Sequence, residues 1–402
     1  MLDKFEGEGS MQNTDSIIKK LYIKSYESDQ AGHVDLSLPK NRLISIGVKI
    51  LDNSPKGSLS YDVDRLYDEL VYFNHYSQKG QACPLNFFLP MILANRSYET
   101  YEASLLDLAD KIQTYYSSLD RIDDYIIQVQ AYDRLIRAYI RSGGQSMEGD
   151  KLISILRDIK DDLVAYNHPK KTKKETINFQ LKKLKYIGKI HRLIDSMEGI
   201  STYNIDKSTN KADKSTSNIG ISIDDIGMST YNTGTHDLDI FDRIAYLQGG
   251  QVDGDSLTRV LAHILGYEID KVGVDDGAFL DSRSSLEVDA NTFTDSKSGL
   301  EVGAKDFIDE KSGSEVDSKT FVASMADYLL DLRNRDKITR KYGARSSPKH
   351  FLNEDIGYQG QDPILNRYKI LEKAREGNTY RIRLATKSGL YDMIYNIKTC
   401  GD

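Results

Sequence analysis

From Ser60 to about Met197, apolar residues return at steps of three and four almost without interruption. A strand buries every second residue, so a period this long and this regular restricts the segment to helices. Ser60 is placed as the N-cap of a first helix with Val63, Leu66, Tyr67, Leu70 and Val71 inward. Pro84 suits a first helical position, and Pro90 is expected to kink or divide PLNFFLPMILAN. A helix from Tyr98 buries Leu105, Leu108, Ala109, Ile112 and Tyr116. Another from Asp120 turns Ile122, Tyr125, Ile126, Val129, Ile136 and Tyr139 inward, and SGGQS at Ser142 to Ser146 ends it. Leu152, Ile155, Leu156, Ile159 and Leu163 mark the next helix. Ile177, Leu181, Leu184, Ile187, Ile190 and Ile194 mark the last. At least five helices joined by short loops predict a helical bundle or array.

The flanks differ. Residues 1–12 read as a disordered polar tail, and Asp15 to Tyr26 as a short helix, so the helical core spans 13–198. Leu43, Ile44, Ile46, Val48 and Ile50 fit either a strand or a buried helix, and DNSPKGS at Asp52 to Ser58 is a break. From 199 to 320 the chain reads as a low-complexity insertion, with a short helical island at 236–266. Within it Phe279, Phe293, Phe307 and Phe321 are 14 residues apart, as are Val274, Val288, Val302 and Val316, defining acidic repeats over 274–320. The last copy runs into a helix from Thr320 to Lys341 with Met325, Tyr328, Leu329 and Leu332 on one face. Tyr380, Ile382 and Leu384, then Tyr391, Met393, Tyr395 and Ile397, alternate around KSG as a β-hairpin. Two strands alone are marginal, so 321–402 is expected to pack on the helical core. The fold class is mostly α: a helical bundle or array, a small C-terminal β-hairpin and a long low-complexity insertion.

Two cysteines, Cys83 and Cys400, make no disulfide framework and have no metal-ligand spacing, so no metal or cofactor is expected. The N-terminal stretch lacks an apolar core of signal-peptide type, and the longest apolar run, Phe87 to Ala94, is too short to span a bilayer. The expectation is a soluble cytoplasmic protein with no membrane association. The 26 tyrosines, with no tryptophan, suit helices whose apolar faces carry phenols with a polar tip to satisfy.

Charge is the best lead to function. The net charge is −7, yet Glu268 to Asp317 holds fourteen acidic against five basic residues. Asn167 to Ile194 holds nine basic residues against Glu175 alone, and Arg333 to Lys387 holds fourteen basic against six acidic. An acidic linker therefore separates two basic regions. Lys182, Lys185, Lys189 and Arg192 recur at helical steps opposite the Ile/Leu stripe, and Arg381 and Arg383 share a strand face. These six are the candidate polyanion-binding residues, since lysine and arginine laid along phosphates release counterions. The bland alternative is a solvated face, or one paired with acidic neighbours.

An enzymatic alternative uses Cys83 at a helix start, with His75 eight residues upstream as its base. Asp120, Asp123 and Asp124, facing Asp158, Asp161 and Asp162, offer a second, carboxylate-based version. A structural cysteine and helix-start acids explain the same residues. No Gly-rich nucleotide loop, HExxH or GxSxG occurs. The leading expectation is a non-enzymatic binding protein that contacts nucleic acid or an acidic protein partner, with the acidic repeats as a tethered competitor. A purely structural assembly protein is the third reading.

Overall fold

The computed structural model describes residues 8–27, 34, 36, 38–53, 58–76, 85–116, 122–168, 170, 172–199, 238–250, 256–267, 318–334, 346–386 and 388–396. The chain divides into two compact units, one of Met1–Ile122 with Asp270–Asp402, the other of Asp123–Ile269. The helical run therefore contributes to both units. The acidic repeats before Ser318 lie outside the described residues.

In the first unit α1 (Glu8–Lys24) begins inside the stretch read as a tail, and α2 (Pro39–Lys49) settles the ambiguous Leu43–Ile50 run as a helix. The break that follows is a small hairpin, β1 (Leu51–Asn53) and β2 (Leu59–Tyr61). Ser60 lies in β2. The cap of α3 (Val63–Tyr76) is Asp62, whose carboxylate accepts the Arg65 N–H at 2.9 Å. Its inner face is also rotated from the expected one: Leu66, Asp68, Glu69, Leu70, Tyr72 and Phe73 are buried, while Val63, Tyr67 and Val71 are exposed. Buried Glu69 explains the rotation, because Arg65 at 2.6 Å and Lys49 at 3.5 Å hold its charge inside. The apolar α4 (Leu85–Ala94) continues through Pro90 as one helix. Against it lies α2, so close at Gly47 that a Cβ there would sit 2.6 Å from the Phe87 carbonyl oxygen. α5 (Tyr98–Tyr116) follows. Returning to this unit after the second one, α11 (Ser318–Asn334) ties back to α1 through Lys19 and Asp327 at 2.7 Å, and Arg333 donates to the Leu93 and Asn95 carbonyls.

The hairpin is present, with Tyr380 opposite Tyr395, Leu384 opposite Tyr391, and Gly389 at φ 103° in its turn. It is half of a four-stranded antiparallel meander, β3 (Gln359–Asp362), β4 (Asn366–Glu376), β5 (Thr379–Thr386) and β6 (Gly389–Asn396). Its inner face (Ile370, Ile382, Leu384, Tyr391, Met393 and Tyr395 among others) packs with Tyr72 of α3 and Phe351 of a short 3-10 turn at Pro348–Asn353. Asp362 anchors the β3–β4 turn: buried, it accepts from Tyr72 Oη at 2.6 Å, Ser346 Oγ at 2.9 Å, and the Ile364 and Leu365 N–H groups at 2.8 Å each. The outer edge of β6 is covered, since Arg42 donates to the Leu390 carbonyl and lies over the Tyr391 ring.

The second unit consists of α6 (from Ile122 to Arg141), α7 (Asp150–Ala165), α8 (Lys173–Met197), α9 (Ile240–Gln248) and α10 (Ser256–Leu265). The α6 helix ends at Gly143 and Gly144, both with positive φ, as the SGGQS signal requires. The helical island supplies core: Ile240, Phe241, Ile244, Leu247, Leu257, Val260, Leu261 and Ile264 are all buried.

Candidate functional site

The 25-residue α8 is the longest of the described elements and carries seven basic residues against two acidic, and its packing decides what that charge can do. It starts in a capping box, the Thr172 hydroxyl accepting from the Glu175 N–H at 3.2 Å while the Glu175 carboxylate accepts from the Thr172 N–H at 3.1 Å. The buried residues are Phe179, Lys183, Tyr186, Ile190, Leu193 and Ile194. Ile177, Leu181 and Leu184, expected inward, are instead 50%, 61% and 60% exposed. They lie two positions away from Phe179, Lys183 and Tyr186, roughly 200° around the helix. Thus α8 has two apolar stripes, and the unit buries the aromatic one.

The aromatic stripe wins because it also satisfies polar groups. Lys183 reaches the end of α7, donating to the Val164 and Tyr166 carbonyls at 3.2 and 2.9 Å, which are among the acceptors a helix leaves open at its C-terminus. Phe179 packs against the Tyr166 and His168 rings. The Tyr186 ring meets Phe241, and its hydroxyl accepts from the Gln128 side-chain amide at 3.2 Å. Burial, then Asp239 and Asp124 nearby, push the Tyr186 phenol well above its ordinary pKa.

The basic residues divide into two sets. Lys182 pairs with Asp124 at 3.2 Å. Lys189 is held by Asp239, the N-cap of α9, and by Asp242 at 2.7 Å. Burial works against the Lys189 charge, but the two aspartates outweigh it and raise its pKa. The Asp242 carboxyl is raised by burial and by the adjacent Asp239. By contrast Lys174, Lys185 and Arg192 are exposed, and they line one border of the Ile177–Leu181–Leu184 stripe. On the sheet, Arg381 and Arg383 both bind Asp392, at 3.0 and 2.8 Å. The arginines outweigh burial and hold the Asp392 carboxyl below its usual range.

Cys83 and Asp120 lie outside the described residues. His75 holds the sheet in place, its Nδ1 donating to the Ile394 carbonyl at 2.8 Å on the outer edge of β6 and its ring lying 4.7 Å from that of Tyr395. Asp123 pairs with Lys170, and Asp162 with Arg134. Among the described residues no group of His, Cys, Asp and Glu is arranged to hold a metal ion, and no helix is long and apolar enough to cross a membrane. Sequence reasoning passed over Gly188, which continues the exposed stripe one turn beyond Leu184. The signal was available: a glycine inside a long helix costs stability and so asks for a reason. Comparison with protein-family models, characterised proteins and solved structures finds no match to this chain.

Proposed function

We propose that this chain is a binding protein whose second unit receives a protein partner on the outer face of α8. The observation that carries this reading is the exposure of Ile177, Leu181 and Leu184 on one face of an otherwise well-packed helix. Three large aliphatic side chains in line on a rigid scaffold are what helix-in-groove and helix-on-helix recognition use as anchors. The charges point the same way. Of the six basic residues that suit a polyanion, Lys182, Lys189, Arg381 and Arg383 already face carboxylates of their own unit. A phosphate backbone would have to displace those aspartates. The exposed Lys185 and Arg192 border apolar surface, which suits a protein better than a nucleic acid.

The test places a photo-cross-linking residue at Leu181 in the full chain, with a control at exposed Asp158 on α7. A discrete protein adduct at the first site and none at the second supports the reading. Adducts to nucleic acid favour the polyanion alternative, and no adduct at Leu181 refutes docking on this face.

A further inference from the structure

Gly188 and the charge bordering the stripe name the class of partner. Gly47, in the last turn of α2, has an internal reason, because α4 approaches so closely that a Cβ would meet the Phe87 carbonyl oxygen at 2.6 Å and Pro90 at 3.1 Å. Gly188 has none. A Cβ built on it meets only the flexible end of Arg192, at 4.0 Å. Its missing side chain therefore leaves a notch on the outer face, in line with Ile177, Leu181 and Leu184. Small residues at such a place let two helix backbones come close where they cross. The border of the stripe carries Lys174, Lys185 and Arg192, and α8 as a whole holds seven basic residues against two acidic. A second copy of the chain laid antiparallel on this face would bring a second basic row against the first. A helix with an acidic border would match it.

Resting on the docking reading above, we infer that α8 binds an acidic amphipathic helix that crosses it at Gly188, seating apolar anchors on Ile177, Leu181 and Leu184 and carboxylates on Lys174, Lys185 and Arg192. The experiment uses the full chain and two synthetic helical peptides, each with Leu at i, i+4 and i+7, one with Glu and one with Lys along the border of that stripe. Fluorescence anisotropy is expected to show the Glu peptide binding and the Lys peptide at least about tenfold weaker. The triple variant K174E/K185E/R192E should reverse that preference. Gly188→Ala should weaken the Glu peptide by about tenfold or more without lowering the thermal midpoint, a combination that a merely structural glycine does not give. Equal affinity for the two peptides, no binding of either, or an unchanged affinity in Gly188→Ala overturns the inference. If a protein still cross-links at Leu181 in that event, the partner class falls and the docking face stands.

Discussion

Gly47, in the last turn of α2, and Gly188, inside α8, allow the same substitution to be predicted with opposite signs. Replacing glycine by alanine inside a helix gains about 0.5–1 kcal/mol, because the unfolded chain loses conformational freedom it would otherwise regain. At Gly188 nothing opposes that gain, since the new methyl has only the Arg192 guanidinium at 4.0 Å. At Gly47 the methyl lands 2.6 Å from a backbone carbonyl oxygen of a neighbouring helix, which no rotamer change relieves. Forcing such a contact costs about 1–3 kcal/mol, leaving a net loss of roughly 0–2.5 kcal/mol after the helical gain. For domains of this size 1 kcal/mol is worth about 2–4 °C. Thermal unfolding followed by far-ultraviolet circular dichroism should therefore show Gly188→Ala about 1–4 °C above the parent and Gly47→Ala up to about 10 °C below it. Shifts of the same sign refute the reasoning. If both fall, Gly188 has an internal role and loses its value as evidence for a partner; if both rise, the α2–α4 approach is not what requires Gly47.

Three further outcomes are expected. Asp362→Ala strands two backbone N–H groups and leaves the Tyr72 and Ser346 hydroxyls only each other, and should cost about 3 kcal/mol or more in urea unfolding; Asp362→Asn, which keeps one acceptor oxygen, should cost less, and a neutral Asp362→Ala contradicts the anchoring role. Phe179→Ala should cost about 3–5 kcal/mol, whereas Leu181→Ala, on the exposed stripe, should fall within about 0.5 kcal/mol; similar costs would contradict the assignment of inner and outer faces. Burial, helped by neighbouring carboxylates at several sites, raises the pKa of Tyr22, Tyr26, Tyr61, Tyr72, Tyr186, Tyr368 and Tyr395. Because these folded values lie above the unfolded value of about 10, unfolding releases protons at alkaline pH and stability falls from about pH 10 upward. Phenolate absorbance should thus rise in two steps, the second coinciding with loss of helicity; ionisation of all 26 tyrosines while the helical signal persists would contradict this.

Helices were legible wherever burial alone fixed their pattern, as in the Leu152–Leu156–Ile159–Leu163 row of α7. Faces were misread where a distant charge rewrote the pattern. Nothing local tells that Glu69 is inside, because one of its partners, Lys49, belongs to another helix. Strand β4 was hidden for two reasons. A bulge at Leu371 shifts its alternation, and Lys373 stays on the inner side by donating to the Leu352 and Glu354 carbonyls. Its charged letters read as surface, while their stems and ammonium groups serve the fold.

The same principle explains why the site was half legible. Concentrated charge on α8 is visible in one dimension, but which lysines remain available depends on Asp124, Asp239 and Asp242, contributed by α6, by α9 and by the residue that caps α9. An Ile/Leu row is the ordinary mark of an inner face, and α8 carries one. What moves that row outward is a competing row with more to offer the interior: two aromatic rings and a lysine that closes the carbonyl end of α7. Once the aromatic row is inside, the aliphatic row is left exposed among the described residues, and Gly188 opens a notch beside it. A solvated face needs neither Ile177, Leu181 and Leu184 nor a glycine, and polar helix formers in those four places would make a more stable helix. The docking surface proposed above would account for their presence.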